Sequence, residues 1–447
     1  MGLGYLAAAL RKAGYRVVIY DLLVLRVTNE RFVDYLVRSD EFDIIGVTAL
    51  TFYYPAMREL CRAIKGRPEL SHVPVIVGGV HVTALPELSL VETGADFAVL
   101  GEGEVTVVEL LECLREGGNP REVRGIAFLD GDSFVQTDPR PLVENLDELP
   151  MPAWDLIRPE LYPQMPHNFF FKEWPVFPVI TSRGCPFPCT YCASRNFWGG
   201  IIRYRSVKSV VDEVEYLVKE LGAKEIHLWD DNFTLRRKRV VEFCGEVARR
   251  GLRVPFACPN GVRVDTLDEG LLRLMRAAGF YSLTFAVESG SPVVQRIVRK
   301  NLKLEVVPGV IETAKRLGFL TRAFFIIGLP GETVTSLLET LKFALKLKID
   351  TANFFFFTPL PGSTFFQEWC RDEDLVDKYW QFDFMINPQS IGPHRAVDLA
   401  TLARFKKICY LKFYAFRPVK IYNFVSRMKF SQLVALVKRL VVVFLRG

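Results

Sequence analysis

Apolar residues recur with two different spacings along the first 138 residues of the chain, and the two spacings alternate. Helical spacing predicts helices at residues 4–13 and 54–64, and short apolar runs predict strands at residues 16–20, 42–48, 73–77 and 97–100. Strands that alternate with helices in this way pair in parallel, because each helix returns the chain to the same end of the sheet. The pattern therefore predicts an α/β domain with a doubly wound parallel sheet over residues 1–138.

A proline-rich stretch separates this domain from a second series of alternating elements. Nine of the 26 prolines fall within residues 139–178, and proline removes a backbone donor and favours extended neighbours, so a linker is predicted over residues 139–176. Strand-like runs then recur with helices between them, at residues 179–182, 225–229, 255–259, 282–287, 321–327 and 351–357. Six such repeats predict a partial (β/α)6 barrel of the TIM type over residues 177–375, with chemistry at the carboxyl ends of its strands. Residues 376–447 are predicted to form a helical C-terminal region.

Glycines and small polar residues cluster at the predicted strand ends of the first domain. In open parallel sheets, ligands bind beyond the carboxyl ends of the strands. Gly78 and Gly79 would let a flat or phosphate-bearing ligand approach the backbone, because no side chain stands in the way. Ordinary connecting loops remain the alternative. The residues at these ends are Asp21, Thr48, Gly78, Gly79, His81, Thr83, Gly101 and Glu102.

Three cysteines at the start of the predicted barrel carry the strongest chemical signal. Cys185, Cys189 and Cys192 form a C-x3-C-x2-C run, and no fourth cysteine stands close to them in sequence. Three thiolates on one loop predict a [4Fe-4S] cluster with one iron left open, and an open iron can bind and activate a ligand. We therefore assign the three cysteines to both the metal site and catalysis. A structural zinc site usually needs two cysteine pairs, and buried cysteines without a ligand are the other alternative.

With this loop and the ordered blocks after it, the chain resembles the radical S-adenosylmethionine (SAM) enzymes, and more narrowly their cobalamin-binding branch. Tyr191 precedes the last cysteine, as in that superfamily. The first domain contains the Gly-Leu-Gly-Tyr-Leu-Ala-Ala, Gly-Gly-x-His-x-Thr and Gly-Glu-Gly-Glu runs that recur in the cobalamin domains of this branch. The blocks in the barrel lie at residues 229–234, 261–265, 285–291 and 325–333.

The resemblance implies a site for each cofactor. SAM would meet Glu288 at its ribose and the Ile327-Gly328 segment at its adenine. Acidic groups can accept hydrogen bonds from its amine or hydroxyls, and an arginine can clamp its carboxylate, although a carboxylate at a strand end often only caps a helix. The expected SAM-binding residues are Tyr191, Asp230, Asp231, Arg263, Glu288, Ile327 and Gly328. Cobalamin would lie on the edge of a Rossmann-like sheet, at Gly4 and the strand-end residues from Asp21 to Glu102 named above.

Two departures from the family pattern concern cobalamin. Asp21 is followed by Leu22-Leu23-Val24 and not by the Asp-x-His-x-x-Gly run that ligates cobalt through histidine, so no histidine ligand is expected from that motif. Relatives begin with a hydrophobic strand before the Gly-Leu-Gly-Tyr helix, whereas this sequence begins at the helix. Either the start is truncated or the sheet lacks a central strand.

The activity implied by the resemblance is reductive cleavage of SAM to a deoxyadenosyl radical. With cobalamin as methyl carrier, the enzyme would methylate an unactivated carbon of a hydrophobic small molecule. The alternatives are a cobalamin-dependent cyclase, oxidase or ring-rearranging enzyme, a radical SAM enzyme that has lost cobalamin, and an iron-sulfur or corrinoid sensor or electron carrier. A transfer-RNA thiomethyl transferase is disfavoured, because those relatives usually bring further cysteine triads before the barrel.

Composition and charge place the protein in the cell and suggest its partners. The nine cysteines show no paired spacing outside the cluster motif, which favours a reducing compartment and thus the cytoplasm, and no apolar run is long enough to span a bilayer. From Thr401 onward the chain holds eleven Lys or Arg and no Asp or Glu, whereas the rest holds 46 basic and 51 acidic residues. This basic, aromatic tail predicts peripheral contact with the inner face of the membrane, or else a helical cover for the barrel. A low-potential donor such as ferredoxin or flavodoxin is expected, and nucleic acid is not.

Overall fold

Parallel strands at the centre of two separate sheets carry the α/β fold that the sequence predicts. The computed structural model describes residues 1–39, 42–162, 164, 170–369 and 396–415. The strands are β1 (Ile45–Thr48), β2 (Val75–Gly78), β3 (Phe97–Val99), β4 (Ile126–Asp130), β5 (Ser133–Gln136), β6 (Val176–Val179), β7 (Ser182–Arg183), β8 (Arg203–Tyr204), β9 (Glu225–Leu228), β10 (Phe256–Val262), β11 (Phe280–Glu288), β12 (Leu320–Ile327) and β13 (Thr351–Phe356). The α-helices are α1 (Gly2–Lys12), α2 (Leu22–Leu25), α3 (Asn29–Ser39), α4 (Tyr54–Lys65), α5 (Val80–Ala84), α6 (Pro86–Thr93), α7 (Gly103–Glu116), α8 (Ser194–Phe197), α9 (Val207–Lys219), α10 (Arg237–Arg249), α11 (Glu269–Ala277), α12 (Pro292–Ile297), α13 (Val307–Arg316), α14 (Val334–Lys346), α15 (Thr364–Trp369) and α16 (Leu399–Tyr410).

The N-terminal sheet has the order β1-β2-β3-β4-β5, with helices on both faces. Strands β1 to β3 are parallel, as predicted. Val75 and Val77 of β2 pack towards α3, α4 and α6, whereas Ile76 packs towards α7, because successive side chains of a strand point to opposite faces. The antiparallel pair β4 and β5 was not predicted, and it extends the sheet beyond β3.

The predicted strand at residues 16–20 is absent from the sheet, so that prediction is wrong. A strand needs a neighbour for its backbone hydrogen bonds, and within the described residues β1 pairs on one side only, with β2. Val17 and Ile19 instead pack with Ala7, Ala8 and Ala153.

The predicted linker contacts both domains on its way to β6. The backbone N–H of Ala153 donates to the carbonyl oxygen of Gly4 over 3.0 Å, and Asp155 pairs with Arg11 of α1 at 2.8 Å. On the other side, Nε1 of the buried Trp154 donates to Glu213 of α9 over 2.9 Å. The linker is therefore packed between the domains and attaches each of them through named bonds.

The barrel sheet has the order β6-β9-β10-β11-β12-β13, and all its neighbouring strands are parallel. The six predicted repeats are present. The first strand lies at Val176–Val179, earlier than the predicted residues 179–182, and β7 instead pairs with β8 in a separate two-stranded ribbon. Alternate residues such as Phe325 and Phe354 pack outward against the helices, their rings 5.2 Å apart, so the intervening residues face the barrel interior.

Tyrosine hydroxyls cover the outer edge of the barrel at β13. The backbone N–H of Ala352 donates to Tyr414 over 3.0 Å, Tyr414 donates back to the Ala352 carbonyl over 3.0 Å, and the N–H of Phe354 donates to Tyr410 over 3.3 Å. Both tyrosines belong to α16 and the π-helical turn Leu411–Ala415 that follows it. This part of the C-terminal region is a helical cover for the barrel. Residues 416–447, which hold most of the basic, aromatic tail, lie outside the described residues.

None of the helices among the described residues is both long and apolar enough to cross a bilayer.

Replacing Tyr414 with phenylalanine should lower the free energy of unfolding by about 1–3 kcal/mol, because both backbone groups of Ala352 lose their partner at a covered edge. The measurement is the midpoint of urea denaturation. Tyr216→Phe on α9, where the side chain is 37% exposed, is the matched control and should shift the midpoint little. Equal midpoints for the two variants would contradict this account of the edge.

Candidate active site

The three cysteines of the predicted cluster lie on the loop that leaves the ribbon strand β7. Gly184, between Arg183 and Cys185, has φ +98°, and a Cβ at this position would lie 2.1 Å from the carbonyl oxygen of Ile201. No other residue fits there. Farther along, Thr190 is fixed on both sides, since its N–H donates to Val298 over 3.1 Å and its carbonyl accepts from Phe365 over 3.2 Å.

The three thiols of the cysteine loop are available as metal ligands. All three are free and partly buried. Within the described part of the chain, no group of three His, Cys, Asp or Glu side chains is arranged to hold a single metal ion. Each thiolate of a cubane cluster binds a different iron, so three cysteines on one loop can supply its protein ligands and leave one iron open.

Burial keeps these thiols protonated until a metal binds. It raises the pKa of Cys192 to about 12, and it also raises the pKa of Cys185 and Cys189. Thiolates are the metal ligands, and a bound cation removes the proton. Cluster assembly on this loop should thus release protons.

A buried ion pair lies beside the cysteines at the end of β11. Glu288 has φ +65°, a left-handed conformation that is unusual for a residue with a side chain, and its Oε1 accepts from Lys300 Nζ over 3.0 Å. The same ammonium lies 3.3 Å from the hydroxyl of Tyr191, which precedes Cys192. Tyr191 and Glu288, both expected at SAM, are therefore brought together next to the cysteine loop.

Lys300 was not predicted, and the backbone around it is strained. Its neighbours Arg299 and Asn301 have φ values of +52° and +49°. Left-handed residues on both sides of one position persist only where the surrounding structure enforces them, and such strain concentrates at functional sites. The sequence gives no sign that Lys300 is buried at the site, because most lysines in short polar loops are solvent-exposed.

Arg263 is largely used by the protein itself. Its guanidinium donates to Asp265 over 2.7 and 3.0 Å, to the carbonyl of Lys300 over 2.6 Å and to that of Asn301 over 2.9 Å. It also lies 4.1 Å from the ring centroid of Phe187 on the cysteine loop. The geometry favours a role in holding the strained loop and the cysteine loop together, in place of the predicted clamp on a carboxylate.

Asp230 is likewise occupied by its own surroundings, whereas Asp231 is exposed. Asp230 accepts from the backbone N–H of Thr181 over 2.9 Å and from the hydroxyls of Thr181 and Ser182 over 3.0 and 2.7 Å. Burial raises the pKa of Asp230 to about 6 against the lowering effect of these bonds. These bonds make Asp230, predicted to contact SAM, an anchor for the start of the ribbon. Asp231 accepts from the Ser194 hydroxyl over 2.7 Å, just beyond the last cysteine.

The segment expected at the adenine is held from below by Glu332. Ile327 is fully buried in the outer core of the barrel, so only its backbone could contact a ligand. Gly328 has φ +81°, and its N–H donates to Oε2 of Glu332 over 2.6 Å, as does that of Leu329 over 3.2 Å. Oε1 of the buried Glu332 has no hydrogen-bond partner within the described residues. Sequence analysis did not single out this carboxylate.

The residues expected at cobalamin meet at the carboxyl ends of β1, β2 and β3. The Thr48 hydroxyl donates to the Gly78 carbonyl over 2.9 Å, and the N–H of Gly101 donates to the Thr83 hydroxyl over 3.0 Å. Gly79 has φ +107°, and a Cβ there would lie 2.7 Å from Thr48 Oγ1. The structure thus forms a glycine-rich edge at the predicted place.

Two of the expected cobalamin residues are engaged elsewhere. A Cβ on Gly4 would lie 2.3 Å from Ile157 of the linker, so this glycine allows the linker to approach α1. Asp21 accepts hydrogen bonds from the Tyr162 hydroxyl, also in the linker, and from the Val24 N–H. The geometry favours structural roles for both.

His81 is fully buried, and its ring centroid lies 4.0 Å from that of Tyr54. Burial lowers the pKa of His81 to about 3, so the ring is neutral. Its side chain belongs to the interior of the domain below the glycine-rich edge.

Glu102 faces the barrel and not the glycine-rich edge. Its Oε1 accepts from Arg183 over 2.6 Å, and its Oε2 accepts from Arg203 over 2.7 Å and from the Val143 N–H over 2.8 Å. Burial acts to raise the pKa of Glu102, but the hydrogen bonds from Arg203 and Arg183 outweigh it and hold the pKa below its ordinary value. Glu102, predicted to contact cobalamin, thus forms an ion pair between the domains.

The glycine-rich edge and the cysteine loop face the same junction. Helix α5, which begins directly after Gly79, contacts α8, which begins directly after the cysteine loop. A Cβ on Gly362, beyond β13, would lie 3.5 Å from Cβ of Ala84 and 3.8 Å from Cβ of Ala193. The glycine-rich edge and the cysteine loop thus lie at the same junction between the domains.

Comparison with known proteins agrees with both halves of this arrangement. The family described as B12 binding domain matches residues 1–111, and the radical SAM superfamily matches residues 179–344. An uncharacterized methyltransferase of Pyrococcus horikoshii is 32% identical over 415 residues, which cover 93% of this chain and 87% of that protein. The anaerobic magnesium-protoporphyrin IX monomethyl ester cyclase of Rubrivivax gelatinosus is 34% identical over 386 residues, which cover 85% and 67%.

Solved structures share the fold. The radical SAM methyltransferase TsrM from Kitasatospora setae, with tryptophan substrate and a SAM analogue bound, matches 81% of this chain and 72% of its own with a TM-score of 0.68 at 19% identity. The cobalamin-dependent SAM radical enzyme OxsB, with aqua-cobalamin bound, matches 92% of this chain and 58% of its own with a TM-score of 0.66 at 19% identity.

Glu332 makes the stability of the protein pH-dependent. Burial raises the pKa of Glu332 to about 8, above the pKa of the same carboxyl in the unfolded chain. The stability that the protonated carboxyl contributes is therefore fully present below the unfolded pKa, and it is lost as the pH rises through the folded pKa. Glu332→Gln keeps an acceptor for Gly328 but cannot ionise, so the variant should lose less stability than the wild type between about pH 6 and about pH 9. Urea denaturation at both pH values measures this loss. Glu339→Gln, on the exposed face of α14, should behave as the wild type; identical losses in all three proteins would contradict the prediction.

Proposed function

This chain belongs to the cobalamin-binding radical SAM enzymes, and from that premise we propose that it methylates an unactivated carbon of a hydrophobic small molecule. When bound, the cluster and SAM supply a deoxyadenosyl radical that removes a hydrogen atom, and cobalamin supplies the methyl group. The cluster ligands are Cys185, Cys189 and Cys192. The corrinoid would lie along the edge formed by Thr48, Gly78, Gly79, Thr83 and Gly101.

One observation carries this proposal: the contact between α5 and α8. A methyl carrier and a radical source have to reach the same substrate carbon. Helix α5 starts at the glycine-rich edge of one domain, and α8 starts at the end of the cysteine loop of the other. The space between these ends is where a substrate could meet both reagents.

The residues beside the cysteine loop fit the polar groups of SAM. Glu288 offers a carboxylate for ribose hydroxyls, and its left-handed backbone fixes where that carboxylate points. Lys300 supplies a buried ammonium for the carboxylate of the methionyl group. Its Nζ also donates to the Tyr191 hydroxyl over 3.3 Å, which restrains its position. The turn at Gly328, held by Glu332, leaves backbone open for the adenine. The exposed carboxylate of Asp231, which is bonded to Ser194 just after the last cysteine, can accept a hydrogen bond from the methionyl amine.

A hydrophobic substrate suits the inner face of β12 and β13. Phe324 and Phe355 alternate with the outward residues Phe325 and Phe354, so they point into the barrel, where their ring centroids lie 5.2 Å apart. Both side chains keep partial exposure there, as does Ile326 between them. An accessible apolar wall would bind an apolar substrate and keep water from a reactive intermediate.

Cyclisation is the second candidate, because relatives of comparable identity are named as cyclases. Product mass separates the two reactions. Methylation replaces a hydrogen with a methyl group and adds a carbon, whereas ring closure within one molecule leaves the carbon count unchanged.

The cellular setting follows from the redox chemistry. A low-potential donor such as ferredoxin or flavodoxin would reduce the cluster, and an oxygen-poor cytoplasm would preserve it. The basic, aromatic residues that follow the helical cover, at 416–447, would hold the enzyme at the inner face of the membrane, close to apolar substrates.

Two substitutions should separate the cofactors. Anaerobic reconstitution of the wild type with iron, sulfide and hydroxocobalamin should yield about four iron and about one cobalt per chain, by metal analysis. Cys189→Ala should lose iron but retain cobalt, because the corrinoid site lies in the other domain. Gly79→Ala should lose cobalt but retain iron, because its Cβ would collide with Thr48.

Each of these variants is the control for the other. Under reductant and SAM, deoxyadenosine should form with the wild type and vanish in Cys189→Ala. Cobalt at background in the wild type, with iron retained, would rule out cobalamin-dependent methylation and leave radical chemistry alone.

Lys300→Met should weaken SAM binding by about tenfold, since a hydrogen bond to a charged partner contributes about 1.5–3 kcal/mol. Anaerobic equilibrium dialysis against SAM at matched iron content measures the dissociation constant. Lys303→Met removes an exposed lysine of the same loop and is the matched control. Wild-type affinity in Lys300→Met would remove this lysine from the SAM site.

A further inference from the structure

Four charged side chains form a buried cluster where the two domains meet, and we call them the junction ions. Glu102 and Glu104 come from the start of α7 in the N-terminal domain, and Arg183 and Arg203 come from the ribbon of β7 and β8. Arg183 donates to Glu102 over 2.6 Å and to Glu104 over 2.5 Å, and Arg203 donates to Glu102 over 2.7 Å. Each arginine of the barrel is thus paired with a carboxylate of the other domain.

These ion pairs are shielded from water, so each partner depends on the other. The four side chains are 4–9% exposed. Nε and one terminal nitrogen of Arg203 have no hydrogen-bond partner within the described residues, which leaves its charge dependent on Glu102 and the Val143 carbonyl. Removing one partner of a buried pair leaves an uncompensated charge, which is strongly unfavourable.

The ribbon that carries the two arginines is also the start of the cysteine loop. Ser182 pairs with Tyr204 and Arg183 with Arg203, so both strands are held as one unit. Cys185 follows Arg183 after a single glycine. That glycine packs closely against the carbonyl of Ile201, so the backbone between the ribbon and the first cysteine has little freedom to move.

Aromatic rings from both domains hold the guanidinium of Arg183 in place. It lies 5.0 Å from the ring centroid of Tyr5 in α1 and 5.8 Å from that of Trp198, which follows α8. A planar guanidinium between two rings and two carboxylates has one favourable orientation. The backbone next to Cys185 therefore follows the position of the N-terminal domain.

We infer that Glu102 and Glu104 of the N-terminal domain are positioning residues for the cluster in the barrel, acting through Arg183. The N-terminal domain then has two roles: its glycine-rich edge binds the corrinoid, and its two carboxylates position the cysteine loop through Arg183. The second role does not need cobalamin. This inference rests on the proposed cluster, but it concerns cluster geometry and not methyl transfer.

The test compares Glu104→Gln with Glu109→Gln in the full chain, reconstituted with iron and sulfide and without cobalamin. Glu109 lies on the same helix, pairs with Arg140, and its side chain is 43% exposed, so its substitution is the matched control. Three quantities are measured: the rate of iron loss to a chelator, the electron paramagnetic resonance spectrum of the reduced cluster with and without SAM, and its reduction midpoint.

Glu104→Gln should lose iron about tenfold faster than the control and give a shifted spectrum and midpoint, as substitutions around metal ligands commonly do. The control should match the wild type. Identical iron loss, spectra and midpoints in both variants would overturn the inference. Failure of the wild type itself to take up iron would instead overturn the proposed function.

A conservative variant covers the case in which Glu104→Gln does not fold. Glu104→Asp keeps the charge but shortens the side chain by one methylene, so Arg183 must move to keep its bond. Its circular dichroism and thermal midpoint should stay near those of the wild type, while the spectrum of the reduced cluster changes. An unchanged spectrum in a folded Glu104→Asp protein would overturn the inference.

Discussion

The buried charge of Arg183 constrains the relation between the two halves of this molecule. A guanidinium shielded from water needs carboxylates at bonding distance, and here both carboxylates come from the other domain. The domains therefore cannot slide past each other without exposing or orphaning a charge. Because Arg183 stands just before Gly184 and Cys185, the same ion pairs restrain the backbone at the start of the cysteine loop.

The active site combines rigid supports with strained backbone. The cysteine loop is held at its start by Gly184, which packs against Ile201, and between its last two cysteines by Thr190, whose N–H and carbonyl are both bonded. Beside this loop, Glu288 and the two residues that flank Lys300 adopt left-handed conformations that residues with side chains usually avoid. Arg263 contacts both the Lys300 segment and Phe187 of the cysteine loop. Groups that have to meet a cofactor are thus fixed before it arrives, and the conformational free energy is offset by packing elsewhere.

Local sequence was enough to predict the features whose causes are local. The spacing of Cys185, Cys189 and Cys192 predicts a metal loop irrespective of the surrounding fold, and alternating elements predicted most strands of both sheets. Strand pairing is not local, and the segment at residues 16–20 has strand-like spacing but no neighbour. The β4 and β5 pair was missed for a related reason, since a hairpin at a sheet edge continues no alternation with helices.

Roles that depend on tertiary partners were the least predictable. Asp230 and Arg263 stand at strand ends, where functional residues gather, but their hydrogen bonds are taken by the neighbouring backbone and by Asp265. Glu102 belongs to a recurrent glycine-rich motif, and only the fold shows that its side chain faces the barrel. Lys300 becomes notable only when the backbone angles of its neighbours Arg299 and Asn301 are known. In each case the deciding fact is which group lies opposite, and sequence spacing does not contain it.

The tyrosines that cover β13 also affect the order in which the chain can fold during translation. The edge of β13 keeps bare backbone donors and acceptors until Tyr410 and Tyr414 have left the ribosome. A nascent barrel with an open edge invites pairing with strands of other chains, so chaperone demand should be greatest in that interval. Emergence of Tyr410 and Tyr414, and not of the cysteine loop, then marks the moment at which this edge of the barrel is protected from aggregation.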